Sequence, residues 1–221
     1  NGPFSSVEQT RFRMAGLLFH FDGVDGVGKS TQIGAFCQWL RDAGHDVVAC
    51  RDPGSTALGE RVRSLLLDKQ DVPIHRRSEM LLYMAARAQM VEEVIRPALE
   101  AGRTVVADRF LLANVVYQGH AGGLDVETLW QVGAIATAGL QPTLTLLLDM
   151  DVDRALGRLD RGHDRMESQG VDFLRRVRDG FLAEAARDPQ RIAIINADQP
   201  VEQVQADIRH AAARVLKGAP T

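Results

Sequence analysis

Gly23-Val24-Asp25-Gly26-Val27-Gly28-Lys29-Ser30 is the stretch that decides how this chain is read. It fits the pattern G-x-x-x-x-G-K-[ST], whose glycines let successive backbone N–H groups turn inward around phosphate oxygens. The context fits as well. Leu17-Leu18-Phe19-His20-Phe21 precedes it as a buried strand. Ser30 to Ala43 follows as a helix, with Ile33, Phe36, Cys37 and Leu40 on one face and Gly44 as its stop. The helix N-terminus adds partial positive charge to the loop. Gly23, Val24, Asp25, Gly26, Val27, Gly28, Lys29, Ser30 and Thr31 are thus the expected nucleotide-binding residues, with Lys29 at the β- and γ-phosphates and the Ser30 hydroxyl on Mg²⁺.

The same alternation runs outward along the chain. Short apolar runs at 46–50, 104–108, 143–149 and 191–195 read as further strands. Between them, 56–67, 76–101, 111–117, 125–138, 152–159, 172–187 and 201–216 read as helices, with Pro97 expected to bend or split the last turns of the long one. Strands separated by helices make a parallel sheet covered on both faces. The expectation is an α/β fold of the P-loop NTPase type, with a five-stranded parallel sheet flanked by helices and a short Arg-rich lid at about 158–170. One domain spans 14–217. Residues 1–13 are read as a tail or expression remnant without function.

Composition sets limits. The chain has 221 residues, 45% hydrophobic and 25% charged, which excludes a disordered polymer. A formal net charge of −3 argues against nucleic acid as a partner. No run approaches the roughly 20 apolar residues that span a bilayer, so no membrane partner is expected. Cys37 and Cys50 belong to no CxxC pair or zinc set and read as buried, reduced thiols, a disulfide between them being disfavoured in a cytoplasmic protein. The six histidines show no metal spacing either and read as structural or surface residues. Of the 26 basic residues, 23 are Arg, and only Lys29, Lys69 and Lys217 are Lys. From Arg154 to Arg178, seven Arg face four acids. Codon bias explains such a preference in general, whereas arginine forks suited to phosphate oxygens explain its concentration there.

A further set of segments carries a family resemblance. Phe21 to Thr31, then Arg51-Asp52-Pro53-Gly54-Ser55-Thr56, Ala85-Ala86-Arg87-Ala88-Gln89, Asp108-Arg109-Phe110 through Tyr117-Gln118-Gly119, and Arg161-Gly162-His163-Asp164-Arg165-Met166-Glu167 follow in order. Together they resemble thymidylate kinases over nearly the whole chain. Asp52, Ser55 and Ala113 depart from the family's usual Glu, Gly and Ser. The resemblance implies ATP and Mg²⁺ as cofactors, dTMP or a related nucleoside monophosphate as acceptor, and a homodimer.

It also implies roles. Asp108, at a strand end beside the phosphate loop, joins Ser30 as a metal ligand. Arg109 reaches the acceptor phosphate and Asp25 the acceptor's sugar and phosphate end. Arg158 and Arg161 deliver charge to the transferred group, and Arg165 holds the donor. Gly26 places the chain in the subgroup whose lid, rather than the phosphate loop, carries the catalytic arginines. Tyr83 stacks on the base, Arg87 and Asn114 read its edge, Tyr117 disfavours a ribose, and Gln118 and Arg51 complete the acceptor side. Asp164 and Glu167 organise the lid, and Asn196-Ala197-Asp198 borders the adenine. Two alternatives stay open: a kinase of another nucleoside monophosphate, and a nucleotide-binding protein without turnover.

Overall fold

The computed structural model describes residues 16–67, 73–158 and 170–216. Among them, five strands form one parallel sheet: β1 (Leu18–Asp22), β2 (Val47–Arg51), β3 (Thr104–Asp108), β4 (Leu144–Asp149) and β5 (Ile192–Asn196), in the order β2-β3-β1-β4-β5. β1 lies at the centre, pairing Leu18 with Val105 and Phe19 with Leu144. All five of its residues are buried, including the polar His20 and Asp22.

Alternation along the strands divides the core into two layers. Phe19 and Phe21 point to a layer built with α1 (Lys29–Asp42), α8 (Val171–Arg187) and α9 (Val201–Leu216). There Phe36 of α1 sits edge-on to both rings, with centroids 5.2 and 5.4 Å away. Leu18, Val105 and Ala107 face the other layer, with α3 (Arg76–Met90), α4 (Arg96–Glu100) and α6 (Val126–Ala136). The remaining helices are α2 (Ala57–Leu67), α5 (Leu111–Asn114) and α7 (Val152–Leu156). Among the described residues, no helix is long and apolar enough to cross a membrane.

The long helical pattern at 76–101 breaks earlier than Pro97 suggests. A π-helical turn occupies Val91–Ile95, and the Arg96 N–H donates to Val91 O, five residues back. Pro97 supplies no N–H and crowds the carbonyl four residues before it, so the strain is relieved on the turn that precedes the ring. A second π-helical turn, Val115–His120, continues α5. It replaces the single regular helix expected at 111–117 and carries Tyr117 and Gln118. Both cysteines are free and buried, as expected.

Because every strand runs the same way, all five carboxyl ends lie along one edge of the sheet. Each strand closes on a polar residue there: Asp22, Arg51, Asp108, Asp149 and Asn196. Register keeps them level, with Arg51 opposite Asp108 and Asp149 opposite Asn196. This is the edge at which parallel α/β sheets bind ligands.

Candidate active site

A cleft of about 1120 Å³ opens along that edge. The loop between β1 and α1 forms its floor. Gly28 ends the loop in a left-handed conformation, φ 92°, and the first turn of α1 holds no acid, so its N–H groups are left for an anion. The buried Lys29 amine donates to Gly23 O at 3.0 Å and Val24 O at 2.9 Å, and lies 3.3 Å from Asp25 Oδ1. Burial and the nearby Arg109 charge lower its pKa, while Asp25, Asp108 and Asp22 oppose that fall. Ser30 and Asp108 both line the cleft.

Gly26 is fixed by packing. A Cβ built on it would stand 2.0 Å from Ala155 O, and its φ is +87°. No longer side chain fits without moving α7 away from the loop. Gly26→Ala is expected to cost at least about 2 kcal/mol, a fall in melting temperature of roughly 4–8 °C, measurable by thermal denaturation.

Arg109 closes the head of the cleft. It follows β3 with φ 65°, a left-handed conformation uncommon outside glycine, which turns its side chain back over the loop. Its Nη1 donates to Asp22 Oδ1 at 2.8 Å and its Nη2 to Asp25 Oδ1 at 2.8 Å and the Tyr117 hydroxyl at 3.2 Å. The guanidinium also lies over the Tyr117 ring, 5.0 Å from its centroid.

Asp22 is fully buried and also accepts from Gly23 N and pairs with His20. Burial would raise its pKa, but the His20 hydrogen bond and the Arg109 charge bring it below the ordinary carboxylate value. Asp25 behaves alike: burial is outweighed by the Arg109 and Lys29 charges. Arg109 itself stays charged, because the Tyr117, Asp25 and Asp22 oxygens outweigh the burial that opposes its charge. Burial pushes the Tyr117 phenol up, so it remains a neutral donor and acceptor.

Two acids, one lysine and one arginine thus share a small volume with every charge compensated. A phosphate entering between Lys29 and Arg109 would meet two cations already aimed at one point.

Beyond Arg109 the cleft ends in a buried polar pocket lined by Tyr83, Arg87, Ala113, Asn114 and Gln118. Arg87 is 1% exposed. Its Nε donates to Asp52 Oδ2 at 2.5 Å and its Nη1 to Asn114 Oδ1 at 3.1 Å. Asn114 Nδ2 donates to Gln118 Oε1 at 2.5 Å, and Gln118 Nε2 to Glu79 Oε1 at 2.8 Å. Each end of the Asn114 amide therefore already has one protein partner, where the sequence suggested only that it faces a base. Arg51, on the same wall, is engaged by Glu60 at 2.9 and 3.0 Å. At the opposite end, Arg158 Nη1 donates to Ala197 O at 3.4 Å, and Gln199, Val201 and Val204 complete the wall.

The expected site residues thus meet in one cleft, from Arg158 at one end to Asn114 and Gln118 at the other. The exceptions are Gly23 and Val24, which are buried and do not line the cleft, and Arg161 and Arg165, which lie outside the described residues, as do Asp164 and Glu167. Among the described residues, no group of three or more His, Cys, Asp or Glu side chains could by itself hold a metal. Sequence reasoning missed Asp22, the Glu79 end of the pocket network, and Asp52 as the partner of Arg87. Asp22 had one available signal: an acid closing an otherwise apolar strand immediately before the loop.

The sequence model of the thymidylate kinase family matches residues 21–208. A thymidylate kinase of Rhodopirellula baltica is 48% identical over 189 residues, covering 86% of this chain and 77% of that one. One of Desulfovibrio desulfuricans is 45% identical over 210 residues, covering 91% and 97%. Among solved structures, the thymidylate kinase of Ehrlichia chaffeensis superposes with a TM-score of 0.74 at 29% identity, covering 89% of this chain and 98% of the other.

Proposed function

The chain belongs to the thymidylate kinase family, and from that premise we propose that its cleft transfers the γ-phosphoryl group of ATP to dTMP, yielding dTDP and ADP. The observation that carries the reading is Arg109, held by Asp22 and Asp25 at the point where a donor on the phosphate loop and an acceptor in the polar pocket would meet. The acceptor phosphate is already ionised, so no general base is needed; positioning and charge stabilisation suffice. Lys29 and the loop N–H groups take the donor phosphates. Arg109 takes the acceptor phosphate, and Asp25 keeps Arg109 aligned while facing the sugar end. Tyr83, Arg87, Asn114 and Gln118 form the base pocket, with Tyr117 beneath the sugar and Arg51 on the acceptor side.

Mg²⁺ fits the donor set. Ser30 and Asp108 supply two oxygens on the cleft wall, and this ion is commonly held by one or two protein oxygens plus phosphates and water. When bound it would neutralise charge on the donor phosphates. Arg158, Arg161 and Arg165 are the lid arginines of this reading; Arg158, at the donor end, is half exposed and would leave Ala197 O at 3.4 Å and Asp198 Oδ1 at 3.9 Å to swing inward. A homodimer belongs to the same proposal. Exposed Leu58, Leu65 and Leu81 on α2 and α3 offer apolar surface of the kind a second copy buries. So does a cytoplasmic location, the compartment in which ATP is kept at working concentration.

A panel of monophosphates in a coupled ADP-release assay tests the reading. dTMP is expected to turn over fastest, with the ribonucleotides slower because Tyr117 fills the space near the 2′ position. A faster acceptor outside the thymidine class would reassign the substrate. Nucleotide binding without turnover on any acceptor would overturn the enzyme assignment.

A further inference from the structure

The base pocket continues into the protein as a directed chain of hydrogen bonds: Arg87 to Asn114 at 3.1 Å, Asn114 to Gln118 at 2.5 Å, Gln118 to Glu79 at 2.8 Å. All four residues are buried, so little water is available to take the place of a lost partner. The chain is polarised at both ends. Arg87 is a cation that can only donate, and a Glu79 carboxylate can only accept. Two amides lie between them, and an amide is the one side-chain group that can exchange its donor and acceptor ends by rotating half a turn. Flipping Asn114 alone would set its NH₂ against the guanidinium. Flipping Gln118 would set its carbonyl against the carboxylate. Each error leaves like groups facing one another without water, and such contacts are costly where the dielectric is low.

We infer that Glu79, which need not touch the nucleotide, is a positioning residue that sets which hydrogen-bonding edge Asn114 shows the acceptor base. This rests on the reading that Asn114 meets that base. The chemistry gives the orientation a consequence. A thymine-type edge presents an N–H beside a carbonyl, whereas a cytosine-type edge presents a bare ring nitrogen beside an amino group. The two patterns are inverses, so an amide locked one way favours one pyrimidine class and an amide free to turn favours neither. Sites built to pair a substrate N–H or O–H reject analogues that leave a buried partner unmatched. Glu79 reaches this position from the first turn of α3, whereas Asn114 and Gln118 come from α5 and the π-helical turn after it. Discrimination therefore depends on how two separate elements are docked.

Steady-state ADP release with dTMP and with dCMP tests this, using Glu79→Met, which removes the acceptor, and Glu79→Asp, which withdraws it by one methylene. Both are expected to raise KM for dTMP about tenfold, to leave KM for ATP unchanged, and to lower the dTMP-to-dCMP ratio of kcat/KM about tenfold. If Glu79→Met does not fold, Glu79→Asp decides. An unchanged ratio, or a KM for ATP that rises in step with that for dTMP, overturns the inference. Asn114→Ala separates the two layers of the argument. If it leaves KM for dTMP unaltered, the placement of Asn114 at the base fails and the relay fails with it. If it raises KM while the Glu79 variants do not, the relay alone fails.

Discussion

Lys29→Ala is expected to lower kcat by at least about a thousandfold with little loss of fold. The amine lies between the loop carbonyls and Asp25, and it is the cation closest to where the donor phosphates would rest. Removing a single preorganised donor from a developing charge typically costs on the order of 10² to 10³ in rate. Lys29 also balances Asp25, so its loss leaves that carboxylate to Arg109 and draws the guanidinium toward the loop and away from an acceptor. The structural cost is smaller. Two hydrogen bonds to the Gly23 and Val24 carbonyls are lost, each worth about 1 kcal/mol net. Melting temperature should fall by only a few degrees. A variant that kept more than a tenth of parental turnover would remove the phosphate loop from the mechanism.

Arg87→Met acts chiefly on stability. Asp52 is 3% exposed and its Oδ2 lies 2.5 Å from Arg87 Nε, while its Oδ1 has no hydrogen-bond partner. Without the guanidinium the carboxyl keeps no adjacent cation. Breaking one side of a buried pair costs about 3–5 kcal/mol, which at this chain length corresponds to roughly 6–20 °C in melting temperature. The pH dependence has a definite sign. Burial already raises the Asp52 pKa, and Arg87 is the main influence opposing that rise. In the variant the main opposition is gone, so the folded-state pKa climbs further above the unfolded value of 3.8. The folded state then holds a proton that the unfolded state releases, and stability falls as pH rises above about 4. The gap between parent and variant should therefore narrow steadily as the buffer is taken from pH 8 toward pH 5, read by thermal denaturation at each step. A constant gap would mean that Asp52 is not the group left stranded. Asp52→Asn in the Arg87→Met background should recover part of the loss at pH 8, because the stranded charge is gone.

Much of this architecture was legible in the residues. The phosphate loop has a spacing that few other structures require, and the strands are apolar runs too short to be anything but buried. Their boundaries fall within a residue or so of expectation because Gly44, Gly102 and the closing polar residues mark them. The π-helical turns were not legible. Nothing local distinguishes Val115–His120 from an ordinary helix, since the widening answers to packing rather than to propensity. The partners of Arg109 were hidden for another reason. It lies 84 and 87 positions from Asp25 and Asp22, and only the β1–β3 register brings them together. The Asp52 side chain was visible as a departure from a family pattern. Its partner Arg87 was visible as a base-reading arginine, yet their pairing needed coordinates.

The central place of β1 has a consequence for how the molecule is made. The strand that carries the phosphate loop leaves the ribosome before the other four strands of the sheet, but Phe19 pairs with Val106 on one side and Leu144 on the other. Until β3 has been synthesised the largely apolar run at 18–21 has no strand partner, and until β4 follows it has a partner on one edge alone. Sheets whose order differs so widely from chain order close slowly, and incomplete ones aggregate. The nascent chain thus carries its most recognisable motif without a binding site until β4 has been made. A nucleotide can stabilise the chain only after the fourth strand has emerged, so ligand rescue of a weakened variant cannot begin before that point.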